Sequence, residues 1–440
     1  MFDPVNEPEF RLDVAGLSDA FEVLAFTGRE AISEPFVFDL QLLVDDPALD
    51  LASLLYRSAS LHFGPQGNSI HGQLQELVQR DHGSTLRLCH VRLGPRLACL
   101  AQRFSQRIFS ARTVPQILDQ VLKEHGIVGQ NRRFELERDY PLRDYCTQYR
   151  ESDLQFIQRL CAQQRLHYHF EHRSHGHCVV FADGQGHFCK REAVDFRAEG
   201  NQPALRRFEV QRCVDSTLQS AQGHSDLATL RSGQLMPLCG HPVRQWNHLW
   251  LLTHVEHQGS QDWLVPYSNQ VRAIHCEAPF EPPHCVVKPR MHSLQRAWVV
   301  DVDEDQPDPS RPVAVQFDWL YQGEGAAPSH CWLPLAPELE SAGVGPLSEG
   351  AEVVVSFIEG DPDQPLITGV IHQPASVMKE QATEASSRDE DPPEGVQDWL
   401  RSGEPLLLLC LLPGGGSFNH CAQALCTCRA LTQSGRSGAA

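Results

Sequence analysis

The chain has 440 residues, 41% of them hydrophobic, with 56 acidic against 37 basic side chains and a formal net charge of −19. That length builds two to four domains with sizeable cores. The acidic excess works against the attraction that nucleic acids and anionic membranes require, so no nucleic-acid partner is expected.

The apolar run Pro405 to Pro413 falls well short of the roughly 20 residues of a membrane-spanning helix, so no stable membrane insertion is expected. The opening Met1 to Glu7 has neither a basic region nor an apolar one. It predicts synthesis in the cytoplasm, with assembly into any export machine proceeding without a signal peptide. Fifteen cysteines are scattered from Cys89 to Cys428, mostly singly and within apolar patterns, and read as buried thiols.

The first hundred residues alternate in polarity between turn residues, as in Phe36 to Leu42 and Ser60 to Gly64. The pattern predicts antiparallel strands closing into a barrel or sandwich. In Leu86 to Leu93 the alternation separates Leu86, Leu88, His90 and Arg92 from Arg87, Cys89, Val91 and Leu93, and one face is not cleanly apolar.

Between about 113 and 165 the period lengthens to 3.6. Thr113 caps a predicted helix whose stripe is Val114, Ile117, Leu118, Val121 and Leu122, and Gly126 ends it. Ser152 and Gln155 form a capping box for a second helix, with Leu154, Ile157, Leu160 and Cys161 predicted to face inward.

Strand patterns resume at Leu166 to Phe170, Val179 to Phe181, Phe208 to Val210 and Leu249 to Val255. The stretch Pro279 to Pro283 marks a boundary. Five short strands then follow: Ala297 to Val302, Val313 to Trp319, Cys331 to Leu335, Glu352 to Ile358 and Leu366 to Ile371, which fits an OB-type barrel. Residues 375–395 form a polar, acidic linker, and 396–440 an apolar, cysteine-bearing tail.

The segment Cys146 to Leu160, followed by His167 to His172, resembles a stretch typical of the VgrG spike proteins of bacterial type VI secretion. So does Phe357 to Gly369, which is similar to that family's junction between the last strands of its OB-like domain. Weaker matches at Thr113 to Leu118, Leu251 to His257 and Val313 to Trp319 keep the same order through residue 375.

The resemblance implies a mainly β fold with an α/β insertion, built as two hub-type β-barrels followed by an OB-fold-like small barrel and a short C-terminal tail. It places a phage-tail-hub region at 1–290, with the insertion at about 105–205, and the OB-like domain at 291–374. It implies a non-enzymatic hub: a homotrimer seated on a hexamer of tube protein and carrying a PAAR-like tip protein or an effector. A baseplate hub of a contractile phage or phage-like particle is the alternative, and a tail with its own effector activity is a third reading. Two departures stand out. Val299 to Pro312 and Pro334 to Gly350 lack the family's longer loops, and no internal repeat of a β-helix needle is present.

The densest histidine run is His167, His169, His172, His175 and His177. On a strand His167, His169 and Glu171 share a face, as a zinc or copper site requires. The resemblance places aromatics there, so these residues are expected to replace partly exposed rings.

In the tail, His420, Cys421, Cys426 and Cys428 offer four soft ligands within nine residues, a candidate zinc site. Outside it no cofactor is expected. Leu406, Leu407, Leu408, Leu409, Leu411 and Leu412 are too apolar for an exposed terminus and are read as a partner-docking segment.

Gly414-Gly415-Gly416-Ser417 lacks the lysine of a phosphate loop. Gly360-Asp361-Pro362-Asp363 reads as a turn joining two strands rather than as a carboxylate pair for hydrolysis. The sequence has no nucleophile elbow, metalloprotease helix or dinucleotide fingerprint.

Overall fold

The computed structural model describes residues 10–373 apart from 47–48, 65–67, 83–85, 174–175, 213–218, 262–265, 279, 281–286, 304–305, 307, 321–329 and 342–346. The proposed linker and tail, with His420, Cys421, Cys426, Cys428 and the leucine run from Leu406, therefore lie outside the described residues, as does His175. The chain divides into two compact units between Pro289 and Arg290.

The first unit begins with β1 (Phe10–Val14), β2 (Phe21–Ala31), β3 (Glu34–Val44), β4 (Ser58–Phe63), β5 (Ser69–His82) and β6 (Leu86–Gly94). They pair in the order β1-β4-β5-β6-β3-β2, and β1 pairs back to β2, so the six strands form a closed barrel. The period-2 pattern explains the closure: alternate residues such as Phe26, Phe38, Leu40, Leu61, Phe63 and Leu74 fill the interior. The ambiguous strand β6 turns Cys89, Val91 and Leu93 inward.

A mixed segment follows: β7 (Phe104–Phe109), α1 (Val114–Glu124), β8 (Arg132–Glu135), β9 (Cys146–Ser152), α2 (Asp153–Gln163), β10 (His167–Arg173) and β11 (Gly176–Ala182). Thr113 closes a capping box with Gln116, all five predicted stripe residues of α1 are buried, and Gly126 takes the left-handed φ of +68° that ends the turn. Ser152 and Gln155 cap α2 in the same way.

The inward face of α2 differs from the expectation. Phe156 and Arg159 are buried along with Ile157, Leu160 and Cys161, while Leu154 is only partly so. Arg159 is admitted because Glu151 accepts from its Nε at 3.0 Å and its Nη2 at 2.6 Å, and the Thr147 carbonyl accepts at 2.9 Å. Apolar periodicity is blind to a buried charge of this kind, which depends on a partner held on β9.

The chain then adds β12 (Cys189–Lys190), β13 (Val194–Asp195), β14 (Leu205–Arg212), β15 (Gln219–Ser225), β16 (Gln234–Cys239), β17 (Leu249–Ser260) and β18 (Tyr267–His275). Strands β17, β18, β15 and β14 form a second, half-barrel arc, with β16 and its short partners β12 and β13 flanking it. An isolated bridge from Phe196 to Leu205 spans the remaining gap. Its core is centred on Trp250, Phe208, Met236 and Val255. Because β17 pairs with β2, the barrel and the half-barrel share one continuous sheet.

The second unit is a five-stranded sheet of β19 (Gln295–Val299), β20 (Val313–Phe317), β21 (Cys331–Leu333), β22 (Glu352–Phe357) and β23 (Pro365–His372), ordered β21-β20-β19-β22-β23. A bridge from Leu335 to Ile367 closes it into a small barrel. Gly360 and Asp361 form the expected turn between β22 and β23: Gly360 has φ +73°, and the Asp361 carboxylate accepts from the Asp363 amide at 2.9 Å.

Candidate functional site: a polar arc over two barrels

The shared sheet runs without interruption through eight strands, β5-β6-β3-β2-β17-β18-β15-β14. Its two faces differ because residues alternate across the sheet and the register stays in phase between strands. One face carries Leu93, Phe38, Gly28, His257, Val271 and Phe208 into the two interiors.

The other face is polar. Arg207, His224, Gln270, Glu256 and Arg29 stand side by side on successive strands, and Thr27, Asp39, Arg92 and Glu76 continue the next row. Arg92 bridges Asp39 at 2.9 Å and Glu76 at 2.7 Å, and His254 lies 3.0 Å from Glu256. Arginines and carboxylates alternate along the arc, so it offers no strong field of either sign.

Two glycines set how closely the inner face packs. A Cβ on Gly259 would lie 2.1 Å from the Phe26 ring, and one on Gly28 would lie 2.2 Å from Phe38. Large rings therefore fill the space beneath the strand pair β2/β17 that joins the two halves.

The join is also fastened by a buried polar chain. The Asn269 side-chain amide donates to the Tyr267 hydroxyl at 2.9 Å, and that hydroxyl lies 2.6 Å from His257 Nδ1. His257 Nε2 then reaches Glu30 at 3.1 Å, and Arg231 Nε lies 3.5 Å from the same carboxylate oxygen. Burial lowers the His257 pKa more than the Glu30 contact raises it, so the ring is neutral. A neutral ring protonated on Nε2 satisfies every link: it donates to Glu30 and accepts the tyrosine proton. No motif announces this set, because its members come from residues 30, 231, 257, 267 and 269.

The histidine run behaves otherwise than expected. His167 and His169 are not partly exposed rings: they are 4% and 2% exposed, and they pack on Phe188 with ring centroids 4.8 and 5.3 Å away. His172 lies 5.0 Å from Phe36 and accepts the His71 amide at 3.1 Å. Glu171, which completed the candidate metal face, instead accepts two hydrogen bonds from Arg133, at 3.0 and 2.5 Å. Among the described residues, no group of three or more His, Cys, Asp or Glu side chains is placed to hold a metal.

Of the cysteines, Cys89, Cys146, Cys161, Cys178 and Cys331 are buried as expected, whereas Cys189 and Cys239 are exposed on the short flanking strands. No helix among the described residues is long and apolar enough to cross a membrane.

The phage tail baseplate hub family (GPD) matches residues 29–218, which run from the first barrel through the mixed segment into the second half. The type VI secretion system spike protein VgrG4b of Pseudomonas aeruginosa is 35% identical over 85% of this chain and 57% of its own length. The spike protein VgrG5 of the same organism is 33% identical over 96% of this chain and 62% of its own length. The chain thus spans about three fifths of these relatives.

Among solved structures, an E. coli component of the type VI secretion system, described as similar to the T4 bacteriophage tail proteins gp27 and gp5, has a TM-score of 0.69. It matches 82% of this chain and 99% of its own, at 24% identity, a likeness of fold. The sequence relatives and the likeness of fold agree: across most of its length this chain is similar to the VgrG spike proteins.

Proposed function

We propose that the chain is a structural, non-enzymatic hub of a type VI secretion system, trimeric and seated on the tube, carrying a tip protein or an effector. The single observation that carries the reading is the eight-stranded arc, which consists of two four-stranded halves, β5-β6-β3-β2 and β17-β18-β15-β14. Three copies would present six similar halves, the number needed to meet a hexameric tube.

The ends of the arc suit such a ring. Beyond Leu74, whose backbone still bonds to Tyr56 and Arg57, β5 pairs only with β6 among the described residues, and beyond the Leu205 bridge β14 pairs only with β15. Each arc therefore has an open edge at both ends, and an open edge is a template for another chain. The names of the relatives support secretion over a free phage particle, while the hub family's description keeps the baseplate reading as the alternative.

The purified full chain is expected to scatter light as a species three times its own mass, and deleting it should abolish release of the tube protein. A stable monomer across micromolar concentrations, or unchanged release in a strain lacking related hubs, would overturn the reading.

The tail completes the proposal. Leu406, Leu407, Leu408, Leu409, Leu411 and Leu412 would dock the tip or effector, with a zinc ion on His420, Cys421, Cys426 and Cys428 ordering the segment. Changing Cys426 and Cys428 to Ser should then release about one zinc per chain and abolish partner capture. Metal at background in the unchanged protein would remove the zinc from this account.

A further inference from the structure

The outer face of the small barrel carries a pair of tryptophans. Alternation in β19, β20 and β21 sends Ala297, Val299, Val313, Val315, Phe317, Cys331 and Leu333 inward. It leaves Trp298, Ala314, Gln316 and Trp332 on the outside. Trp298 pairs with Gln316 across one ladder and Trp332 with Ala314 across the next, so the two indoles flank β20 on a diagonal. Two strand spacings and a two-residue offset put their Cα atoms about 12 Å apart.

Between them lies the smallest side chain on the face. Ala314 is 5% exposed although it points outward, so its neighbours cover it and it forms a floor between the rings. Both tryptophans are only half-buried. The Trp298 ring is held in place: its Nε1 donates to Glu352 at 3.3 Å, and the Arg296 guanidinium stacks 4.8 Å from the ring centroid. Arg296 also reaches Asp318 at 3.3 Å. The rim of this saddle is thus Glu352, Asp318, Arg296 and Gln316.

We propose that this saddle binds a neutral saccharide chain, with sugar rings against Trp298 and Trp332 and hydroxyls on Gln316, Glu352 and Arg296. A pyranose has an apolar face that suits an indole and an equatorial rim of hydroxyls that suits carboxylate, amide and guanidinium groups. The span between the indoles corresponds to roughly two or three linked rings by the strand spacing above.

Other occupants fit less well. Glu352 and Asp318 outnumber Arg296 on the rim, and the chain carries −19 overall, which disfavours a nucleic-acid strand. A partner β-strand has no edge to join here, because β20 is paired on both sides, with β19 and β21. Small five-stranded barrels bind oligonucleotides and oligosaccharides on the face of their second and third strands, the position of β20 and β21 in this barrel, and here the acidic rim favours the saccharide.

The test is calorimetric titration of the full chain with a β-1,4-linked N-acetylglucosamine hexamer, with the monosaccharide, and with a single-stranded oligonucleotide. The hexamer is expected to bind at least ten-fold more tightly than the monosaccharide, which can meet only one indole, and the oligonucleotide is expected not to bind. Trp332→Ala should weaken hexamer binding at least ten-fold. Ala314→Gln, which keeps both indoles and fills the floor between them, should do the same without removing a ring. Absence of heat with the hexamer, equal affinity for the monosaccharide, or wild-type affinity in a folded Ala314→Gln protein would each overturn the proposal. Oligonucleotide binding in place of saccharide binding, or a Trp332→Ala protein whose only change is in oligomeric mass, would reassign the face to that occupant.

Discussion

Lowering the pH from 7 to 5 is expected to destabilise the two-barrel unit by about 4 kcal/mol through His167 and His169 alone, at about 2 kcal/mol each. Burial pushes the His167 pKa down to about 3, with the neighbouring His169 charge adding to the effect, and burial takes His169 down to about 4 against the opposing pull of Glu171. In the unfolded chain both rings titrate near 6.5. The unfolded state therefore binds more protons below that value, so stability is full above pH 6.5 and falls as the pH drops toward the folded pKa values.

His172, His177 and His257 are lowered for the same first reason, burial, and add to the loss. The charged and titratable groups around the His167/His169 pair are Glu171, Asp183, His187, Arg133 and Glu135. Glu171 and Asp183 are themselves held below their ordinary values, Glu171 by Arg133 and Asp183 by the Glu137 and Arg138 amides, in each case despite burial. They stay ionised through the window between pH 6.5 and 5, so histidine protonation dominates there. Urea unfolding at pH 7, 6 and 5 measures the effect. His169→Phe should flatten the profile by about one proton, and an unchanged midpoint between pH 7 and 5 would refute the account.

The second large effect is expected at the buried pair of α2 and β9. The Arg159 and Glu151 side chains are 1% and 6% exposed, and their two hydrogen bonds compensate charges that water cannot reach. Glu151→Gln or Arg159→Met alone leaves one charge unmatched and should cost about 3–5 kcal/mol. Replacing both, with Met at 159 and Leu at 151, should recover much of that loss, because the remaining side chains are then apolar in an apolar setting. Denaturant midpoints of the two single variants and the double variant check it; additive losses would show that packing, not charge pairing, sets the energy.

A second buried set lies beside this pair. Asp153 is fully buried and accepts from His125 and Gln148, each at 2.7 Å. Burial opposes its ionisation, yet these bonds and the Arg107 charge hold its pKa below the ordinary value. Asp153 is thus a second fixed anion in the same segment, tying the C-terminal end of α1 to the N-terminal end of α2.

Where the chain folds by local rules, its sequence determined the outcome. Thr113 and Ser152 with their glutamine partners set both helix starts, Gly126 ends α1, and the period-2 runs from Ala297 to Ile371 become the five strands of the small barrel. These features depend on contacts within a few residues and on one apolar face each, and a linear pattern records both. The resemblance carried by Cys146 to Leu160 and Phe357 to Gly369 reached the family for the same reason.

Only the tertiary structure decided which polar residues go inside. His167, His169 and Arg159 have the composition of exposed positions, and their burial follows from Phe188 and Glu151, which pack on them from elsewhere in the chain. Glu30 and His257 meet because β2 pairs with β17 across more than two hundred residues. Long-range register of that kind leaves no periodic trace, since the free energy that selects it comes from the partner strand and from excluding water, not from the local segment.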